Sequence, residues 1–325
     1  MTTRQLSMAE AINEAIRHEM RRDKNIVLLG QDIGAYGGSF GVYKGLFEEF
    51  GPDRVRDGPL CEASTAGWGV GLAMSGMPTI VEIEFMDFLT LASDAICNQA
   101  AKMRYFFGGQ VRMPLILRAP VVNRLGLGAQ HSQSLEAWLM HVPGLRVIMP
   151  SNAADAKGLL IAAIRDGNPT VFIEHVRLYA GKTAVEETDE PIELGKLRVA
   201  REGKDVTIAT YSGMVKPSLD AAARLAAEGI ECEVLDLRTL APLDREGICA
   251  SVRKTGRLVV AHEAVKTAGA GAEIAQSAME GAFDFLQAPI QRVAARDLPI
   301  PTGKLQDLVF PNATDVENAV QTTMA

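Results

Sequence analysis

Cysteine is scarce: Cys61, Cys97, Cys232 and Cys249 are the only four in 325 residues. No Cys-x-x-Cys spacing occurs and no histidine pair lies near one of them, which excludes the usual zinc frameworks. The four read as reduced thiols, with Cys232 and Cys249 set inside apolar patterns as core fillers. Long apolar runs are missing too. Leu159-Leu160-Ile161-Ala162-Ala163-Ile164 stops at Arg165-Asp166, far short of the ~20 residues of a membrane-spanning helix. The first residues, Met1-Thr2-Thr3-Arg4-Gln5-Leu6-Ser7, lack the apolar stretch of a secretory signal. The expectation is no membrane, and the cytoplasm or a similarly soluble compartment. Basic charge is in deficit: 33 Lys and Arg against 40 Asp and Glu give a net charge of -7. No overall positive field exists to attract nucleic acid. Small molecules or proteins are the expected partners.

Complete nucleotide-binding fingerprints are absent as well. Gly67-x-Gly69-x-Gly71, Gly126-x-Gly128 and Gly269-x-Gly271 each lack the third small residue of the dinucleotide motif at its required offset. Gly181-Lys182-Thr183 looks like the tail of a phosphate loop, but Val176 stands where that loop needs glycine.

What is there is an alternation of short β-rich runs with Ala-rich helical patterns. Strands are expected at Ile26-Val27-Leu28-Leu29, 79–83, 115–118, 145–148 and 170–174, with helices at about 7–23, 64–75, 89–107, 135–141 and 153–165. Between 180 and 203 the pattern breaks into charged and turn-forming residues, and a second series begins at Val206-Thr207-Ile208-Ala209. The fold class is therefore α/β with two domains, each a mainly parallel sheet flanked by helices. The boundaries are set at 1–185, a linker at 186–203, and 204–325.

Four stretches carry residues with chemical potential. Gly34-Ala35-Tyr36-Gly37-Gly38-Ser39-Phe40-Gly41 follows the first strand, where open sheets place functional loops. Glu62 lies between a turn and a small-residue helix; a carboxylate there is also explained by the helix dipole, worth about 0.3–1 kcal/mol. His131, in the polar loop Gln130-His131-Ser132-Gln133, is of the one residue type that both donates and accepts protons near neutral pH. Around Asp166-Gly167-Asn168-Pro169 a helix ends, and its freed carbonyls with Asp166 and Asn168 are oxygen donors suited to a hard cation.

Taken in order, these motifs resemble a known family. Leu60-Cys61-Glu62, Glu82-Ile83-Glu84-Phe85-Met86-Asp87-Phe88, Asn98-Gln99-Ala100-Ala101-Lys102, Ala129-Gln130-His131-Ser132-Gln133 and Pro143-Gly144-Leu145 are similar to β subunits of the 2-oxo acid and acetoin dehydrogenases. The second series adds Glu231-Cys232-Glu233-Val234-Leu235-Asp236-Leu237-Arg238-Thr239 and Pro242-Leu243-Asp244. The resemblance implies a thiamin pyrimidine-binding domain followed by a transketolase-type C-terminal domain, in an assembly of two α and two β subunits. It implies decarboxylation or cleavage of a 2-oxo acid or acetoin and transfer of the acyl group to a lipoyl-bearing acyltransferase component.

Each candidate residue then acquires a role by resemblance. Glu62 matches the glutamate that hydrogen-bonds a ring nitrogen of the aminopyrimidine of thiamin diphosphate. Leu60, Glu84 and Phe88 match positions around that ring, Phe88 being the aromatic one that packs on it. His131 matches a histidine associated with acyl transfer, where protonating a leaving sulfur is its chemistry. Leu115, Ala163, Ile164, Asp166 and Asn168 match a potassium site of some relatives. Cys61, Ser64, Thr65 and Glu84 depart from the usual pattern, which bears on the acyl substrate more than on the cofactor.

The diphosphate-and-magnesium motif of thiamin enzymes, Gly-Asp-Gly followed later by Asn, is absent from the chain. The resemblance thus implies that magnesium and the diphosphate are held by an α subunit. Two other readings stand beside it: a split transketolase-like thiamin transferase, and a non-catalytic subunit that docks a carrier. Docking alone requires none of Glu62, Phe88 and His131.

Overall fold

The computed structural model describes residues 2–325, which group into two compact units: Met1–Val122 with Trp138–Leu194, and Asn123–Ala137 with Gly195–Ala325. The expected boundary segment 186–203 contains the division at Leu194. The segment Asn123–Ala137 lies inside 1–185, yet it groups with the second unit.

The first unit begins with β1 (Thr3–Ser7) and α1 (Met8–Arg22), then β2 (Val27–Gly30), α2 (Leu46–Phe50), β3 (Val55–Asp57), α3 (Glu62–Met74) and β4 (Thr79–Glu82). It continues through α4 (Ala101–Phe106), β5 (Leu115–Arg118), α5 (Glu136–Met140), β6 (Arg146–Ile148), α6 (Ala153–Asp166), β7 (Thr170–Phe172) and β8 (Lys182–Glu186). Helix α5 starts on the last two residues of the segment that belongs to the second unit. α1 starts where Ser7 and Glu10 form a reciprocal capping box, with bonds of 2.8 and 3.2 Å. Met8, Ile12, Ile16 and Met20 recur at helical spacing and are fully buried, each such side chain contributing roughly 1.5–3 kcal/mol. This face packs on α6, whose Leu159, Leu160 and Ile161 are equally buried.

The parallel strands of this unit run in the order β6-β7-β5-β4-β2-β3. From β2 the chain goes first to one neighbour, β3, and then to the other, β4, so the strand order reverses at β2. Crevices outside the C-terminal ends of strands at such a reversal are where open sheets bind ligands. β1 and β8 form a separate antiparallel pair, Thr3 opposite Glu186 and Ser7 opposite Lys182.

The second unit holds β9 (Arg198–Arg201), β10 (Val206–Thr210), α7 (Val215–Ala226), β11 (Cys232–Asp236) and β12 (Thr239–Ala241). α8 (Arg245–Thr255), β13 (Leu258–Val265), α9 (Ala270–Ala282), β14 (Gln291–Ala295) and α10 (Ala313–Met324) complete it. Its five-stranded sheet has the order β14-β13-β10-β11-β9, parallel except for the edge strand β9. Strand order reverses here at β10. Val206, Ile208, Val234, Val259, Val316 and Val320 form the core, all but fully buried as a sheet covered on both faces requires. Among the described residues no helix is long and apolar enough to cross a membrane.

The expected strands and most expected helices occur within a few residues of their predicted bounds. The stretch 89–107 differs: a 3-10 turn at Met86–Thr90 and a π turn at Asp94–Ala100 precede the short α4. Ser93 draws its hydroxyl back onto the Leu89 and Thr90 carbonyls, a local bond that competes with the regular helical ladder.

Candidate active site

Gly30 ends β2 and Gln31 follows it, Glu82 ends β4 with Ile83 and Glu84 just beyond, and Glu62 opens α3 after β3. Gln31, Cys61, Glu62, Thr65, Glu82 and Glu84 line one small cavity at the strand-order reversal of the first unit. α3 lies close over the sheet because Gly69 faces β4: a β-carbon there would sit 2.5 Å from Val81 Cγ2. That approach sets the height of Glu62 above the strand ends.

Glu62 is half-buried. Its neighbour Cys61 occupies the N-cap without making a capping bond, and instead lies 3.2 Å from the Ser64 hydroxyl. Thr65 donates its hydroxyl to the Cys61 carbonyl at 3.0 Å. Cys61 thus supplies no side-chain cap, and Glu62 is the acidic residue of the first turn of α3. Glu84 accepts a hydrogen bond from Ser39, so the glycine-rich loop 34–41 reaches the same cavity. That loop is held by Asp57, which accepts from the Gly34 amide at 2.7 Å.

Glu82, the third carboxylate, belongs to a buried network not foreseen as part of the site. Arg118, fully buried at the end of β5, donates to Glu82 and to Glu174, each at 2.6 Å. Tyr43 and Tyr179 also accept from the same guanidinium. Burial raises the Glu82 carboxyl above its usual range, and Arg118 only partly offsets this. Burial pushes Glu174 further, to about 7, and its second oxygen is buried without a hydrogen-bond partner. Glu82 thus brings this network into the wall of the cavity that contains Glu62.

Leu60 is 68% exposed next to this cavity. Phe88 is half-buried on the 3-10 turn after Glu84 and packs edge-to-face on Phe85 at 5.5 Å. Phe85 in turn meets Phe40 of the glycine-rich loop at 6.0 Å. The structure therefore brings Glu62 and Glu84 together, with Phe88 on the adjoining turn.

His131 belongs to the second unit. Its segment is fastened there by Arg124, which donates to Glu263 at 2.9 Å and lies over the Phe310 ring, and is braced internally by Asn123, which donates to Ser134 at 2.8 Å. Tyr211 donates to Glu136 at 2.6 Å from just beyond β10. A cavity of about 480 Å³ adjoins the segment, lined by Ser132, Gln133, Leu135, Glu263, Asp297 and Phe310 among others.

Of the residues expected around a potassium ion, Leu115 lies buried in β5 and Ala163, Ile164 and Asp166 form the last turn of α6. Arg146 grips both carboxylate oxygens of Asp166 at 2.5 and 2.9 Å, and Arg104 holds the side-chain oxygen of Asn168. The side-chain oxygens of Asp166 and Asn168 thus already accept from guanidinium groups, while the main-chain carbonyls at the end of α6 are the other oxygen donors there.

Two transketolase domain families match this chain: the pyrimidine-binding domain over residues 4–182 and the C-terminal domain over 195–316. A chain of a split-gene transketolase, described as an inactive beta4 tetramer, superposes with a TM-score of 0.81 at 25% identity, covering 98% of both chains. Among curated relatives, pyruvate dehydrogenase E1 component subunit beta of Rickettsia conorii is 45% identical over 98% of each chain. The mitochondrial subunit beta-1 of Oryza sativa is 43% identical over 98% of this chain and 86% of its own. The beta subunit of acetoin:2,6-dichlorophenolindophenol oxidoreductase from Cupriavidus necator is 44% identical over 99% and 98%. The class is a two-domain transketolase-type protein of a thiamin-diphosphate-dependent kind. Within it, the chain belongs to the family of β subunits of the pyruvate and acetoin dehydrogenases.

Proposed function

We propose that this chain acts with an α subunit to decarboxylate a 2-oxo acid, or cleave acetoin, and to pass the acyl group to a lipoyl carrier. The observation that supports this best is the position of Glu62, half-buried at the sheet's reversal point in one cavity with two further carboxyl groups. Bound thiamin diphosphate would supply the nucleophilic thiazolium carbon and the electron sink for the pair released with carbon dioxide.

Glu62 would hold and share a proton with the aminopyrimidine. Phe88 would pack on that ring, and Leu60 and Glu84 would shape its surroundings. Burial raises the pKa of Glu82 in the same cavity, which disfavours further negative charge there. His131 would donate a proton to the sulfur of the lipoyl group during transfer. Magnesium and the diphosphate would be held by the α subunit, in an α2β2 assembly. Tyr36, Leu60, Trp68, Leu91, Tyr105 and Phe106, all large and more than half exposed on the first unit, fit a protein partner covering it. A potassium ion would be held at Leu115, Ala163, Ile164, Asp166 and Asn168, chiefly through main-chain carbonyls.

Calorimetry separates this divided site from a self-sufficient one. The isolated chain should bind thiamin diphosphate weakly or not at all, and the chain assembled with α tightly and with magnesium dependence. Submicromolar binding by the isolated chain overturns the divided site. The likeness to the split-gene transketolase supports a second reading, a thiamin transferase acting on a sugar or ketone. An assembled enzyme that transfers to a ketose acceptor and not to a lipoyl domain would establish it.

A further inference from the structure

The reversal point of the second sheet carries groups that the scheme above does not use. Tyr211 follows β10 directly, His262 and Glu263 lie in β13, and all three are buried. In an open sheet this crevice is the default place for a ligand. Here the chain's own segment Asn123–Ala137 is fastened across it. Two anchors bracket His131: Arg124 donates to Glu263 at 2.9 Å, and Glu136 accepts from Tyr211 at 2.6 Å. Between the anchors the segment turns at Gly126 and Gly128, both at positive φ; the Gly126 carbonyl accepts from the Gly303 amide at 3.2 Å and the Gly126 amide donates to Gln306 at 3.0 Å.

We infer that Tyr211 and Glu136 are positioning residues for His131, their buried hydrogen bond fixing the segment that carries it. The inference rests on the reading of His131 as the acid in acyl transfer.

A Glu–Tyr pair is an expensive way to fill a core. Glu136 is 1% exposed and its second oxygen has no partner, and burial raises its pKa. An apolar pair of similar volume would avoid that desolvation and is often no less stable. What the polar pair adds is direction: one donor and one acceptor at 2.6 Å fix where the segment enters α5. Tyr211 is itself held from behind. His262 stacks on it, ring centroids 6.1 Å apart and planes 15° from parallel, and burial lowers His262 to about pKa 4, so the imidazole is a neutral platform. A misplacement of about 1 Å at a reacting group costs on the order of 10²-fold in rate, so loosening one anchor should register in the step His131 serves.

The test uses the enzyme assembled with its α subunit and compares Tyr211→Phe, His131→Ala and the double variant. Two activities are read: decarboxylation with an artificial electron acceptor, and acyl transfer to a lipoyl domain. Tyr211→Phe should lower transfer by about 10- to 100-fold and leave decarboxylation within about threefold. In the His131→Ala background it should cause no further loss of transfer, because residues acting through one another are not additive. Glu136→Gln keeps a carbonyl acceptor for the tyrosine and should remain near wild type. If Phe at 211 prevents folding, Glu136→Met, which removes the acceptor at similar volume, takes its place with the same expectations. Additive losses in the double variant, equal losses in both assays, or an unchanged transfer rate would overturn the inference. A split in His131→Ala with none in Tyr211→Phe sinks the positioning role alone. Equal losses in His131→Ala sink the reading of His131, and the inference with it.

Discussion

Both sheets reverse their strand order once, and both place buried ionisable groups at the strand ends there, but the two crevices are filled in different ways. In the first unit the reversal leaves a cavity with three carboxylates on its wall, two of them, Glu62 and Glu84, half-buried. In the second unit a segment of the chain occupies the equivalent place and bonds to Tyr211 and Glu263. The same topology thus leaves a cavity in one case and holds the segment that carries His131 in the other. At the first crevice Glu62 and Glu84 face a cavity, as the proposed cofactor site requires; at the second the polar groups are used in holding the segment.

The sharpest way to break this comparison is Glu62→Gln in the assembled enzyme. If the open crevice is chemical and not structural, deuterium exchange at the thiazolium carbon should fall by about 10²- to 10⁴-fold, the range of a lost acid–base group. Cofactor binding and thermal stability should hardly move. Unchanged exchange with cofactor bound would remove Glu62 from its role.

Arg118→Met addresses the wall behind that crevice. It leaves Glu82 and Glu174 buried without a cation, which typically destabilises by about 3–5 kcal/mol. The loss should be confined to the first unit: amide exchange should speed up in β4, β5 and β7 and stay unchanged in β10 and β13. A uniform acceleration would mean that the two units do not carry their buried charges independently.

Much of this architecture was legible in the sequence. Apolar runs such as Leu115-Ile116-Leu117 announce strands buried on both faces, and the small-residue stretch after Glu62 announces a helix pressed against a sheet. Other features leave little local trace. β1 and β8 pair across nearly the whole first unit, and their largely exposed, polar side chains give no apolar signal. Arg118 looks like the polar end of a strand, and only its convergence with Glu82, Glu174, Tyr43 and Tyr179 from distant positions makes it a centre. The assignment of Asn123–Ala137 to the second unit depends on Tyr211 and Glu263, more than 70 residues away in the chain, which no periodicity reveals.

Acid and base should act with opposite sign through Glu174 of the first unit and His262 of the second. Glu174 is raised from 4.5 to about 7, so the folded chain holds a proton that the unfolded chain has released, and this contribution is lost as pH rises from about 4.5 through 7. His262 is lowered from 6.5 to about 4, so the unfolded chain takes up a proton first, and stability is lost as pH falls from about 6.5 through 4. Each shift corresponds to on the order of 3 kcal/mol. Glu174→Gln should flatten a falling stability profile over its window, and His262→Asn a rising one. Both variants flattening the profile in the same direction would contradict the assigned charge states.

The smallest effects come from one substitution made in both crevice helices. Gly271 is the second residue of α9, and a β-carbon there would lie 2.5 Å from His262 Nε2 and 3.3 Å from Val260 Cγ1. The imidazole is fully buried and backed by Tyr211, so it has no free direction in which to yield. Gly271→Ala should therefore destabilise by about 1–3 kcal/mol, as overpacking does, and shift the Tyr211 ring with it. Gly71 of α3 has no atom within 4 Å of the same added carbon. There the methyl group meets no resistance, and removing glycine from a helix interior should stabilise the first unit by roughly 0.5–1 kcal/mol. Thermal unfolding of the two variants should move in opposite directions. A loss in Gly71→Ala as large as that in Gly271→Ala would show that the outer face of α3 is packed, and that the first crevice is closed like the second.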